Sequence, residues 1–485
     1  MRIPSKAWSI ALLAVLGACA GAGGAGIVGI GSLHLSPGAA TIHVGETTQI
    51  TAVALGPSGE QVTGLLVTFT SDNDAVATTT AAGLVTAVAP GSATITARAG
   101  SALATAVVTV VPREAAVVSL DHDSLDMASG ASVQVAVTAT DATGAVLQGA
   151  TIVYTSSDAK VFTVSAAGAV LAVGSGVATL TATSGSAHAG IPVVVYRPFS
   201  GELQSASVPG RPFGVTIAPD GLLYVTEQDG NALARFQLPG LLANGAVNVG
   251  VDPGEVIFTH DGLRAYSVNV LAGTISVVSV AQGATVGTFT LNRSALRARL
   301  SSDDSRLFVG MDDGTVRELD PVTGVARDTI QALGGAINGL ALSPDGAHLY
   351  ATSTVGGVAD IDTKTNALAR TIPLAGALQD IAVSPDGSRL YVAVEGAGVT
   401  VLNTASGSVS TSVALPSAFG IALSPLGYYL AVTDSTTGTV SVFDRVLMRR
   451  VATYTPGGTL RRVAFGPSGT TLAVASEQNV VYLIH

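Results

Sequence analysis

Apolar and polar positions alternate along most of this chain in short runs broken by Gly, Pro, Asn, Asp and Ser, a period-two pattern that predicts strands nearly throughout. One phrase organises the pattern: Gly339-Leu340-Ala341-Leu342-Ser343-Pro344-Asp345-Gly346-Ala347-His348-Leu349-Tyr350. It reads as a short apolar strand, a tight turn on Pro-Asp-Gly and a second strand. The phrase recurs seven times, with the turn glycine or its equivalent at Gly221, Gly262, Asp304, Gly346, Gly387, Gly427 and Gly469. Spacings of 41, 42, 42, 41, 40 and 42 residues fit one four-stranded blade per repeat and predict a seven-bladed β-propeller over residues 199–485. In blade four the expected strands are Asn338–Leu342, His348–Ser353, Gly357–Asp362 and Leu368–Pro373. Blade seven ends at His485 after its third strand, so Gly201–Val208 is expected to supply the missing outer strand and close the ring.

Two further strand-rich segments precede the repeats. Over 32–112 the expected strands are Thr41–Val44, Thr48–Ala54, Val67–Thr70, Val76–Thr79, Leu84–Val88, Ser92–Ala97 and Ala104–Val110, which is the strand count of an immunoglobulin-like sandwich. Val67-Thr68-Phe69-Thr70-Ser71-Asp72-Asn73 and the run Ala82–Ala97 resemble the group 2 bacterial immunoglobulin-like domain. Gly83 and Gly91 sit where turns need positive φ, and Leu84 and Ile95 are expected in the core. A second copy over 113–198 carries the matching phrases Ile152–Asp158 and Ala167–Ala182. The fold class is therefore all-β, with two tandem immunoglobulin-like β-sandwiches followed by the propeller. In the family that the sandwiches resemble, such tandems serve as stalks or adhesive modules; a stalk is the expectation here.

Residues 1–18 read as a secretory signal, with Arg2 and Lys6 before an apolar segment too short to span a bilayer. Leu16-Gly17-Ala18-Cys19 resembles a bacterial lipobox, which implies a lipid anchor on Cys19, the chain's single cysteine. No aspartate follows Cys19, so the resemblance points to the outer membrane or cell surface. A Gly/Ala tether occupies 19–31.

Composition narrows the function. Only 12% of residues are charged and the net charge is −10, so nucleic acid is not expected as a partner. The mean hydropathy of +0.52 is spread through strands and not gathered in a spanning segment past residue 18. No Cys/His set has zinc spacing, no acidic loop has calcium spacing, and no cofactor is implied. The Leu-Tyr-Val strands after the turns, with Tyr224-Val225-Thr226 and Tyr266-Ser267-Val268-Asn269, resemble the YVTN-type propeller repeats of bacterial and archaeal surface proteins. Related propellers include lactonases.

Counting back from the turn glycine compares the inner strands. Five back gives Thr216, Ile257, Arg299, Ala341, Ala382, Ala422 and Ala464, mostly small, as a crowded channel requires. Seven back gives Gly214, Glu255, Arg297, Gly339, Asp380, Gly420 and Arg462, which share that parity and are expected nearer the channel mouth. With their neighbours they make a candidate ligand-binding set at the mouth: Glu255, Arg297, Asn338, Gln379, Asp380, Phe419, Arg461 and Arg462. Arginine forks there suit a small polar or anionic ligand. The bland alternative is mutual neutralisation, Glu255 with Arg297 and Asp380 with Arg462. Glu227, Asp229, Asp312, Asp313, Glu395, Asp434 and Glu477 are expected as an acidic rim on the same face. No catalytic residue is assigned, since the seven histidines scatter and no nucleophile elbow is present. The expected function is a non-catalytic, lipid-anchored envelope binding or adhesion protein, whose partner is a protein, peptide or envelope polymer. A lactonase- or hydrolase-type enzyme is the alternative, and a structural surface-layer component the second.

Overall fold

The computed structural model describes residues 29–485; the signal segment, Cys19 and most of the tether lie outside the described residues. Every regular element among the described residues is a strand. The chain packs as two compact units. One comprises residues up to Ser119 with Thr138–Thr151 and Thr183–His188; the other comprises Leu120–Val137, Ile152–Ala182 and Ala189–His485.

In the first sandwich a four-stranded sheet (Ala39–His43, Ala102–Val111, Gly91–Ala99, Thr68–Ser71) faces two three-stranded sheets. Ile50, Val85, Ile95 and Val108 are fully buried between them. Two strands, Ser32–Ser36 and Gln61–Val62, go beyond the sequence expectation. The expected single strand Thr48–Ala54 is two, Thr47–Gln49 and Thr51–Leu55, in different sheets. Ile50 is the break, bonding the Gly83 carbonyl through its N–H at 2.9 Å.

Leu84 corrects the expected core. It is 38% exposed, whereas Val85 is fully buried. Thr80 bonds Leu84 through both its N–H and its hydroxyl, which fixes Leu84 on the outer parity. The glycine before it is sterically required: Gly83 has φ +79°, and a Cβ there would meet the Ile50 carbonyl oxygen at 2.3 Å. Gly168 repeats this in the second sandwich, with φ +82° and the Val135 carbonyl at 2.6 Å, so the matched phrases have one physical cause.

The propeller consists of seven four-stranded sheets. Their inner strands are Pro212–Ile217, Pro253–Phe258, Ala295–Leu300, Ile337–Leu342, Leu378–Val383, Ala418–Leu423 and Leu460–Phe465. Each neighbours the next, and the seventh returns to the first. The ring closes through Leu203–Ser207, which pairs antiparallel with Val480–Ile484 and completes the last sheet. Phe199 fixes the approach by packing edge-on against Tyr429, Tyr454 and Phe465.

The recurring turn is held by its own side chains. In blade four the Ser343 hydroxyl donates to Asp345 at 2.5 Å, Asp345 accepts from the Ala347 N–H, and Gly346 adopts φ +69°. Blade three has Asp304 at the glycine position with φ +54°, and its carboxylate accepts from the His260 N–H at 2.8 Å in the blade before.

Candidate functional site

Every inner strand carries a register shift near its start, between Pro212/Val215, Pro253/Glu255, Ala295/Arg297, Ile337/Gly339, Leu378/Asp380, Ala418/Ile421 and Leu460/Val463. A bulge leaves a residue unpaired and turns its groups away from the ladder. The residue eight before the turn glycine lies in each shift: Phe213, Gly254, Leu296, Asn338, Gln379, Phe419 and Arg461. Four of the expected mouth residues, Asn338, Gln379, Phe419 and Arg461, are therefore bulge residues, a feature that alternation alone does not reveal.

This ring has internal order. Asn338 Nδ2 donates to Gln379 Oε1 at 3.3 Å, and Gln379 Nε2 donates to Glu395 at 2.6 Å. Phe213 and Phe419 meet edge to face at 5.9 Å, with the Arg461 guanidinium 4.6 Å from the Phe419 centroid. Arg461 is itself held by Glu477 at 2.9 Å. A recess of about 150 Å³, lined in part by Phe213, Asn338, Gln379 and Phe419, opens beside this cluster.

Two guanidiniums form its floor. Arg297, 3% exposed, donates from Nε to the Asn338 carbonyl at 2.7 Å and from Nη1 to the Leu296 carbonyl at 2.9 Å. Arg462 donates to the carbonyls of Gln379 and Asn338 at 3.2–3.3 Å. The acceptors all belong to bulge residues, so the shift that aims the mouth side chains also supplies the floor with oxygen partners.

The two carboxylates lie below that floor. Arg297 and Arg462 line both the recess and a larger chamber of about 440 Å³, whereas Glu255, Asp380 and Arg299 line only the chamber. The expected single mouth is thus corrected to two compartments. One expected ion pair is also corrected: Glu255 pairs with Arg299 at 2.7 Å, not with Arg297, and accepts the Ala298 N–H at 2.7 Å. Asp380 and Arg462 meet at 2.6 Å. Arg299 was missing from the candidate set, although an arginine at an otherwise small position was a readable signal. Blade four contributes nothing to the chamber wall, because Ala341 is packed into the core between blades.

Burial pushes the Asp380 carboxyl up, to about 6, against the pull of Arg297, Arg299 and the Ile421 N–H. Burial acts on Glu255 in the same sense, but Arg299 and Arg297 outweigh it and the carboxyl sits below its ordinary value. Arg297 is lowered by burial.

The expected acidic rim is largely paired. Asp312 and Asp313 hold Arg293, and Asp229 holds Arg211. Asp434 departs from the rim: it is 1% exposed and caps its own turn, accepting from the N–H groups of Ser417, Thr436 and Thr437. Among the described residues no three His, Cys, Asp or Glu side chains converge as a metal set.

Within the second unit, Asp444 joins the second sandwich to the propeller. Fully buried, it accepts from the Ser175 hydroxyl at 2.5 Å and the Arg197 N–H at 2.9 Å. Arg449 reaches Asp126 at 2.5 Å and lies 3.8 Å over the Tyr196 ring. Spacing gave no signal for these contacts, which join residues more than two hundred positions apart.

Comparison with known proteins bears on both regions. No curated protein matches the chain. Among solved structures, Kuenenia stuttgartiensis Hydrazine Synthase is 21% identical, with a TM-score of 0.53 over 58% of this chain and 96% of that one. At that identity the likeness is one of fold alone. Residues 31–110 match the bacterial Ig-like domain (group 2).

Proposed function

We propose that this chain is a binding protein of the bacterial cell envelope. Cys19 carries the lipid anchor, the sandwiches act as a stalk, and the bulge-residue face of the propeller receives a protein, peptide or envelope polymer. The recess lined by Phe213 and Phe419, with Arg461 stacked against Phe419 beside it, supports this reading most. Aromatic rings and an arginine, part-buried and pre-oriented, are the groups that anchor recognition surfaces. The match of 31–110 to a bacterial immunoglobulin-like domain supports an envelope setting.

Immobilised full chain, titrated with solubilised envelope fractions, tests the reading. Saturable binding to one fraction, weakened on the order of tenfold or more by Phe419→Ala and by Arg461→Ala, is the expected result. Binding that neither variant changes would refute it. Regular self-association without a saturable partner would instead favour a structural surface-layer role. The elevated Asp380 carboxyl beside Arg462 favours a second reading, a lactonase-type hydrolase. Lactone turnover that Asp380→Ala and Arg462→Ala abolish, with the fold intact, would establish it.

A further inference from the structure

The chamber below the arginine floor has a charge and donor balance of its own. Three guanidiniums, Arg297, Arg299 and Arg462, face two carboxylates, Glu255 and Asp380. Even with both acids ionised, one positive charge is unmatched. The donors are also in excess. Arg462 Nε is buried without a partner among the described residues. Arg297 bonds only carbonyl oxygens. Arg299 uses Nη1 for Glu255 and the Ala298 carbonyl, and its Nε and Nη2 have no protein acceptor among the described residues. Of these unfilled donors only Arg462 Nε is buried, while the Arg299 side chain is 31% exposed. A buried donor without an acceptor is costly, and a positive charge without a counter-charge is more so.

Apart from Thr216, whose hydroxyl donates to the Val256 carbonyl at 2.8 Å, the rest of the wall is apolar. Past the arginines the chamber runs by Ile257 to Phe258 and Phe465, where the inner strands end, and reaches Pro219 in the turn. Its volume of about 440 Å³ lies within the range of pockets that hold small organic ligands. An anionic head at one end and an apolar body toward the other match this division.

We propose that the chamber binds a small organic monocarboxylate with an apolar body, entering from the face that carries the Pro-Asp-Gly turns. The carboxylate completes the unfilled donors of Arg297, Arg299 and Arg462, and the body lies against Ile257, Phe258 and Phe465. This site shares Arg297 and Arg462 with the recess on the opposite side of the arginine floor, but it does not use Phe213, Phe419 or Arg461, so its failure would leave that reading untouched.

Calorimetric titration of the full chain with octanoate tests the assignment, with acetate and octylamine as comparisons. Octanoate is expected to bind saturably, at one site, on the order of tenfold or more tighter than acetate, while octylamine does not bind. Arg299→Met is expected to weaken octanoate by roughly tenfold or more. Because that change also strands Glu255, Ala422→Phe provides the second variant: it fills the chamber from a small inward position without altering any charge. Loss of octanoate binding in Ala422→Phe, with an unchanged melting transition, supports the site. Absence of saturable octanoate binding, equal binding of octylamine, or full binding by a folded Ala422→Phe would each overturn it.

Discussion

Proline placed at two adjacent positions of the closing strand should have very different effects. Glu202 and His485 exchange backbone hydrogen bonds at 2.9 and 3.2 Å, and the Val208 N–H donates to the Asn479 carbonyl at 2.8 Å. Antiparallel alternation then directs the Ala206 N–H inward, to its partner Val481, and the Ser205 N–H to the open edge. Ala206→Pro removes a ladder bond worth about 1 kcal/mol and orphans the carbonyl of fully buried Val481, at about 1–3 kcal/mol more. The sum is about 3 kcal/mol, or a fall of roughly 6–12 °C in the propeller transition at about 2–4 °C per kcal/mol. Ser205→Pro loses no bond, and an edge position tolerates proline, so its cost should stay near 1 kcal/mol or below. Differential scanning calorimetry of the full chain reads both. Equal shifts, or the larger shift for Ser205→Pro, would refute this closure.

Other predictions address the axis, the joint and the anchor. Asp380, with a folded pKa of about 6 against an ordinary 3.8, binds its proton more tightly folded than unfolded. Its contribution is therefore fully present below about pH 4 and is lost as pH rises through 6, a change of about 3 kcal/mol. Asp380→Asn should remove that component, so urea midpoints of wild type and variant that run parallel from pH 4 to 7.5 would contradict it. Asp444→Asn keeps the Oδ1 bonds to Val446 and Leu447 but loses acceptance from Ser175 and Arg197. It should cost about 3 kcal/mol and separate the sandwich melt from the propeller melt in calorimetry. Cys19→Ala should abolish labelling by a fatty-acid analogue and move the protein from the membrane to the soluble fraction.

Much of the architecture was legible because it rests on local rules. The Ser-Pro-Asp-Gly turn is closed by its own side chains, so seven copies announce seven sheets, and a last blade short of one strand points to a donor. Leu84 was misplaced because the Thr80 turn, and not alternation alone, sets its parity. The candidate site was half legible. Counting from the turn glycine found the arginines and carboxylates, but a count cannot see a bulge that inserts one residue into each inner strand. That insertion separates Phe419 and Gln379 from Asp380 and Glu255. The Glu255–Arg299 pair and the Asp444 joint depend on contacts between distant segments, which no local pattern encodes.

The recognition face is tested most directly by a photoreactive p-benzoylphenylalanine at Phe419, introduced into the full-length chain on its native envelope. The same group at Val409, exposed on an outer strand, serves as the comparison. Irradiation should join position 419, and not position 409, to one envelope species in a discrete adduct. Identical adducts at both positions, or none at 419 in a correctly anchored protein, would contradict the assignment of this face.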